Sequence, residues 1–209
     1  MPEVGDATLV LFKAVPDAEA TREARREFVT RGDRAPTVLF VSLLHGAAHV
    51  VRQFDRATID RLGRFVVLAP ETSTRSASAA AAGEQPRDAD ARETTGASAG
   101  ETTGTYEHVV LESSENLPHL GSRFTECLAD VSDGDGPVRV YFDSVTALLR
   151  IASEQTAFKF LHVFRTHLLK AGATGYLHVD PHAHDDRTLS RITTLCDAVV
   201  DVSGNGEPV

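Results

Sequence analysis

Seven short apolar segments, most of them unbroken runs, punctuate this chain, and stretches of helical periodicity separate most of them. The runs fall at residues 8–13, 37–42, 65–68, 108–111, 138–142, 175–179 and 198–202. In LVLF or VLFV the apolar residues are consecutive rather than alternating, so such a strand has no polar face to offer water. It is stable only with both faces covered, as in a parallel sheet flanked by helices. The intervening patterns predict helices over 18–31, 47–61 (with a break inside it), 117–130, 156–171 and 187–196. In the fourth of these, TAFKFLHVFRTHLLKA, the residues Ala157, Phe160, Leu161, Phe164 and Leu168 form one face. Lys170 suits the negative end of its dipole and Gly172 stops it. Asp17 is the expected cap of the first helix and Gly32 its stop. Strands alternating with helices predict an α/β fold, an open and mostly parallel sheet with helices on both faces.

The 209 residues are enough for one domain with a full core. Residues 72–105 hold no Val, Ile, Leu, Met, Phe, Tyr or Trp, and repeat ETTG at Glu93 and Glu101. A segment of that composition cannot bury enough surface to offset its ordering entropy. It is expected to be a disordered, low-complexity insertion that splits one domain into an N-terminal part, 1–71, and a C-terminal part, 106–209.

The net charge of -9 argues against non-specific attraction to nucleic acid or to an anionic membrane. The three lysines, Lys13, Lys159 and Lys170, stand against 18 arginines among 21 basic residues. An acidic, lysine-poor surface keeps a protein soluble in concentrated salt, where screening weakens self-repulsion, so a haloarchaeal source is expected. Cys127 and Cys196 have neither finger nor redox spacing and read as reduced thiols. No run approaches the ~18 apolar residues of a membrane span, and the first residues lack the basic start of a signal peptide. A cytoplasmic protein is expected.

In an open α/β sheet, ligands bind beyond the carboxyl ends of the strands. The first strand runs into FKAVPDAEA, with no glycine between Gly5 and Gly32. A phosphate-cradling loop needs glycines there so that backbone amides can wrap the anion. Asp17 and Glu19 instead put negative charge where phosphates would sit. The second strand ends in Leu43, Leu44 and His45, which offer no carboxylate base. In the fifth, PVRVYFDSVTALL, apolar residues end in Asp143 and Ser144. This is the Walker B arrangement, in which the carboxylate holds Mg²⁺. It is equally a helix N-cap, with Asp143 or Ser144 bonding the first amides.

From 138 to 202 the chain, VRVYFDSVTALL…LLKAGATGYLHVDP…LCDAVVDV, resembles the KaiC-like branch of the RecA superfamily. It looks closest to a haloarchaeal family of unknown function, KaiC-like or HTR-like. The resemblance implies a RecA/KaiC-like sheet, with Asp143 as the Walker B aspartate and Asp180 at the end of the nucleotide-sensing strand. It also implies that the P-loop is degenerate, since its lysine and glycines are missing, as is the catalytic glutamate. The function expected on that basis is a non-catalytic domain, a pseudo-ATPase with a regulatory or signalling role through a protein partner or self-association. The alternative is a divergent Mg-ATP binder or ATPase using Asp143 and Ser144.

The segment HVDPHAHDD, from His178, supports a third reading. His182, His184 and Asp186 match most of the H-x-H-x-D-H motif of metallo-β-lactamase-like hydrolases. The motif's last histidine is Arg187 here, and that fold needs further ligands far downstream. Against a metal-dependent hydrolase stands a structural role: Asp180 and Pro181 end the strand, and Asp185 or Asp186 caps the next helix. The RecA-like arrangement would place His178, Asp180 and His182 near Asp143, in an acidic pocket suited to a cation.

Overall fold

The structure, a computed structural model, describes residues 7–71, 106–113 and 115–204. The expected low-complexity insertion, 72–105, lies outside the described residues. The elements run β1 (Leu9–Lys13), α1 (Glu19–Thr30), β2 (Thr37–Ser42), α2 (Ala47–Val51), α3 (Arg56–Ile59) and β3 (Arg64–Pro70). After 72–105 come β4 (Glu107–Leu111), α4 (Leu117–Ser132), β5 (Val138–Asp143), α5 (Val145–Ile151), α6 (Glu154–Ala171), β6 (Thr174–Val179), α7 (Asp186–Thr193) and β7 (Ala198–Asp201). The strands form one sheet in the order β4-β3-β2-β5-β6-β1-β7, and every pairing is parallel.

Consecutive apolar residues are needed because the sheet is covered on both faces. In β1, Leu9 and Leu11 pack into one core with α4, α5, α6 and α7, while Val10 and Phe12 pack into the other with α1, α2 and α3. Successive strand side chains point to opposite faces, so one apolar strand feeds both cores. Leu161 and Leu168 of α6 are fully buried, each contributing about 1.5–3 kcal/mol by leaving water. Phe124 of α4 stacks on Phe164 of α6 with ring centroids 4.3 Å apart. Gly175 lets α6 lie this close to β6. A Cβ there would collide with the Leu168 side chain and come within 3.1 Å of Leu9 Cδ1. At the β4 edge, Arg64 donates to both carboxylate oxygens of Glu107 at 2.7 Å and to Asp130 at 2.6 Å, tying β3, β4 and α4 together.

Several local expectations are corrected. Asp17 does not cap α1. It takes φ 60 in the preceding turn, Ala18 holds the cap position without a side-chain bond, and Thr21 Oγ1 closes the turn by donating to the Val15 carbonyl at 2.6 Å. Asp tolerates the left-handed region better than most side chains, which allows the exchange. The 47–61 pattern is two short helices, with Asp55 capping α3 through Thr58 N at 2.7 Å. Helix α5 was signalled only by the alternative cap at Asp143 or Ser144 and not by periodicity, and α6 begins two residues earlier than expected because Ser153 caps it. Gly172 stops α6 with φ 62, whereas α1 already ends at Arg31, in extended conformation, one residue before Gly32.

Candidate functional site

The four central strands, β2, β5, β6 and β1, end side by side, so their carboxyl ends bring the sequence-predicted residues to one edge. Register places Ser42 of β2 opposite Asp143 of β5, and His178 of β6 opposite Phe12 of β1. The side chain of His178 is 3% exposed and that of Asp143 14% exposed. His178 Nδ1 lies 2.8 Å from Asp143 Oδ1, and its Nε2 lies 3.1 Å from the Ala14 carbonyl. The ring thus bridges the carboxylate at the end of β5 and the backbone beyond β1. Burial alone would push the Asp143 carboxyl up. The hydrogen bond from His178 and its charge outweigh that, helped by Arg25 and His45, and hold the carboxyl below its ordinary value.

The β1–α1 connection is consumed by the protein itself. Ala14 N donates to the Val179 carbonyl at 3.0 Å, the Ala14 carbonyl faces His178, and the Val15 carbonyl accepts from Thr21. Across the edge, Leu43 N donates to the Asp143 carbonyl at 2.9 Å, and Ser42 Oγ accepts from His45 N at 3.1 Å. His45 is exposed and stacks on His49 of α2 with centroids 4.2 Å apart.

Ser144, not Asp143, caps α5, accepting from Ala147 N at 3.1 Å. The HVDPHAHDD segment is distributed among separate tasks. Asp180 N donates to Thr146 Oγ1 at 3.0 Å, and His184 Nε2 lies 3.1 Å from that same hydroxyl. The Asp180 carboxylate turns back to accept from His182 N at 3.0 Å, starting a 3-10 turn over Pro181–Ala183. Asp185 caps α7 through Thr188 N at 2.7 Å. His182 is exposed. Of the three residues expected around Asp143, the structure brings His178 to it, while Asp180 and His182 are engaged in the turn. Thr146 and His184 also line an open cleft of about 370 Å³ with Arg150, Glu154 and Thr188. Among the described residues no group of three or more His, Cys, Asp or Glu side chains is arranged to hold a metal ion. The two cysteines are free. Burial raises their thiols, Cys127 to about 11 and Cys196 to about 12.

One residue escaped the sequence reading. Arg25 of α1 is only 5% exposed. Its guanidinium carbon lies 5.1 Å from the Tyr141 ring and 5.9 Å from the Phe40 ring. The signal was present: Arg25 falls on the helix face that also carries Thr21, Phe28 and Val29, all buried.

A model of the family of unknown function DUF7504 matches residues 7–202. The chain belongs to that family. No curated protein matches it. Three solved structures from Pyrococcus horikoshii share the fold of this DUF7504 chain. A KaiC-like protein from that hyperthermophilic archaeon is 14% identical with a TM-score of 0.52, covering 96% of this chain and 75% of its own. An uncharacterized protein solved in complex with an unknown peptide is 9% identical with a TM-score of 0.56, covering 93% of this chain and 76% of its own. A third protein is 10% identical with a TM-score of 0.51, covering 96% and 84%. The fold is therefore that of the KaiC-like protein, an all-parallel α/β sheet with helices on both faces. Among the described residues, no helix is long and apolar enough to cross a membrane.

Proposed function

We propose that this DUF7504 chain is a non-catalytic KaiC/RecA-like domain, a pseudo-ATPase that acts in regulation or signalling through protein contacts. The observation that carries this reading is the His178 bridge between Asp143 and Ala14. In a nucleotide-hydrolysing relative, the strand-end aspartate would serve Mg²⁺ and the loop after the first strand would present amides to phosphate. Here an imidazole ring from the chain itself faces Asp143, and a carbonyl of that loop points inward to the same ring. The residues at this edge therefore do not fit Mg-ATP. Asp17 and Glu19, together with the absence of glycine from 14–18, argue the same way and support a degenerate P-loop.

The partner on this reading is another protein or a second copy of the chain. The unknown peptide belongs to the P. horikoshii protein of similar fold, and a peptide partner is proposed here by analogy with it. The acidic, lysine-poor composition supports a haloarchaeal cytoplasm as the setting. The hydrolase alternative built on His182 and His184 is less well supported, since one ring is exposed and the other meets Thr146. Steady-state ATP turnover in molar potassium chloride tests the proposal. Turnover indistinguishable from buffer is expected for both the wild type and Asp143→Asn. Turnover in the wild type that Asp143→Asn abolishes would sink it.

A further inference from the structure

Arg25 is a buried cation without a protein anion. Its Nε and the Tyr141 hydroxyl are both buried without a hydrogen-bond partner among the described residues. No described carboxylate lies within ion-pair distance of it. Asp143 and Asp17 act on it only from farther away, and Asp143 is already paired with His178. The rings of Phe40 and Tyr141 supply cation–π attraction, but they accept none of the guanidinium's five N–H donors in the way an anion would. A buried charge is retained where it is paired and hydrogen-bonded.

Asp143 faces His178, Asp17 is exposed, and Arg25 is a buried guanidinium with no described carboxylate within ion-pair distance. It stands over Phe40 and Tyr141, residues paired with each other across β2 and β5 and two positions before those strands end. That is the part of an open α/β sheet where ligands are taken.

We infer that Arg25, with the Tyr141 hydroxyl, binds a small monovalent anion, either chloride or the carboxylate of a ligand, between α1 and the β2–β5 pair. The site is separate from the β1–α1 loop and takes one charge rather than a polyphosphate. Tyr141 is a donor to the anion, since burial raises its hydroxyl well above the ordinary value and keeps its proton on.

The probe is chloride itself, read from the excess linewidth of its ³⁵Cl resonance on adding protein, with potassium methanesulfonate holding ionic strength constant. The wild type should broaden the line saturably. Arg25→Met, with retained folding checked by circular dichroism, should reduce the excess about tenfold or more, as for loss of a charge-assisted hydrogen bond. Tyr141→Phe should give a smaller loss, and Arg25→Lys should keep part of the broadening. Should Arg25→Met fail to fold, the last two variants carry the comparison. Quenching by acetate assigns the site to carboxylates as well, and broadening that acetate leaves untouched assigns it to chloride. An absence of saturable broadening in the wild type, or equal broadening in every folded variant, would overturn the inference.

Discussion

The His178 ring reaches from β6 to Asp143 at the end of β5, 2.8 Å from Oδ1, and its other nitrogen lies 3.1 Å from the Ala14 carbonyl beyond β1. Three neighbouring strand ends are joined through one side chain. Removing either partner leaves the other buried and uncompensated. His178→Ala and Asp143→Ala should each lower unfolding free energy by about 3–5 kcal/mol. The double variant should lose clearly less than the sum, by about 0.5–3 kcal/mol. Chemical denaturation in molar salt measures all three, and strict additivity would show that the two do not interact.

Acid should weaken the fold in two windows. Burial, the stacked neighbour His45 and Arg52 lower His49 in spite of Asp17 and Asp143, and burial with Arg150 lowers His184. The unfolded chain then binds protons more readily than the folded one, so this contribution is full above about 6.5 and falls as pH drops below it. The carboxyls of Asp143 and Asp197 are also held low in the fold. For Asp197 burial works in the raising direction, and the Leu9 amide and Arg165 outweigh it. Their contribution is present above about 3.9 and is lost as pH falls through their folded values. Thermal melts from pH 7 to pH 3 should show both declines, and a His49→Gln, His184→Gln variant should show a smaller first decline. An unchanged first decline would assign it to other groups.

Thr146 links α5 to the loop after β6, because its hydroxyl accepts from Asp180 N and meets His184 Nε2. Thr146→Val keeps the shape and removes the oxygen. It should cost about 1–3 kcal/mol and speed hydrogen exchange at the Asp180 amide. Exchange at that amide unchanged from wild type would contradict the assignment.

Gly175→Ala should destabilise by about 1–3 kcal/mol, since a methyl there forces Leu168 and Leu9 apart. A second change, Leu168→Val, should recover part of the loss in the same denaturation assay. No recovery would place the strain elsewhere.

What could be read from the residues follows from how local each signal is. Unbroken runs such as Thr37–Ser42 announce strands covered on both faces, and β2 lies at the middle of the sheet. The Gly172 stop was legible, and the caps were legible to within one residue, as Asp143 or Ser144 and Asp185 or Asp186, because they depend on neighbours three residues away. Asp17 misled because a capping residue and a left-handed turn residue have the same composition signature. Asp143 and His178 were both singled out, and only the resemblance placed them together, since their pairing across 35 residues depends on strand order, which no spacing encodes. Arg25 was missed since one charged residue on an apolar helix face resembles ordinary surface variation. Its burial shows only once α1 is packed over Phe40 and Tyr141.

Isothermal calorimetry of Mg-ATP added to the wild-type protein in molar potassium chloride tests most directly whether the chain's own His178 ring has taken the place of an external cation at Asp143. No saturable heat is expected, either for the wild type or for Asp143→Asn. Stoichiometric, saturable binding that Asp143→Asn removes would contradict the account.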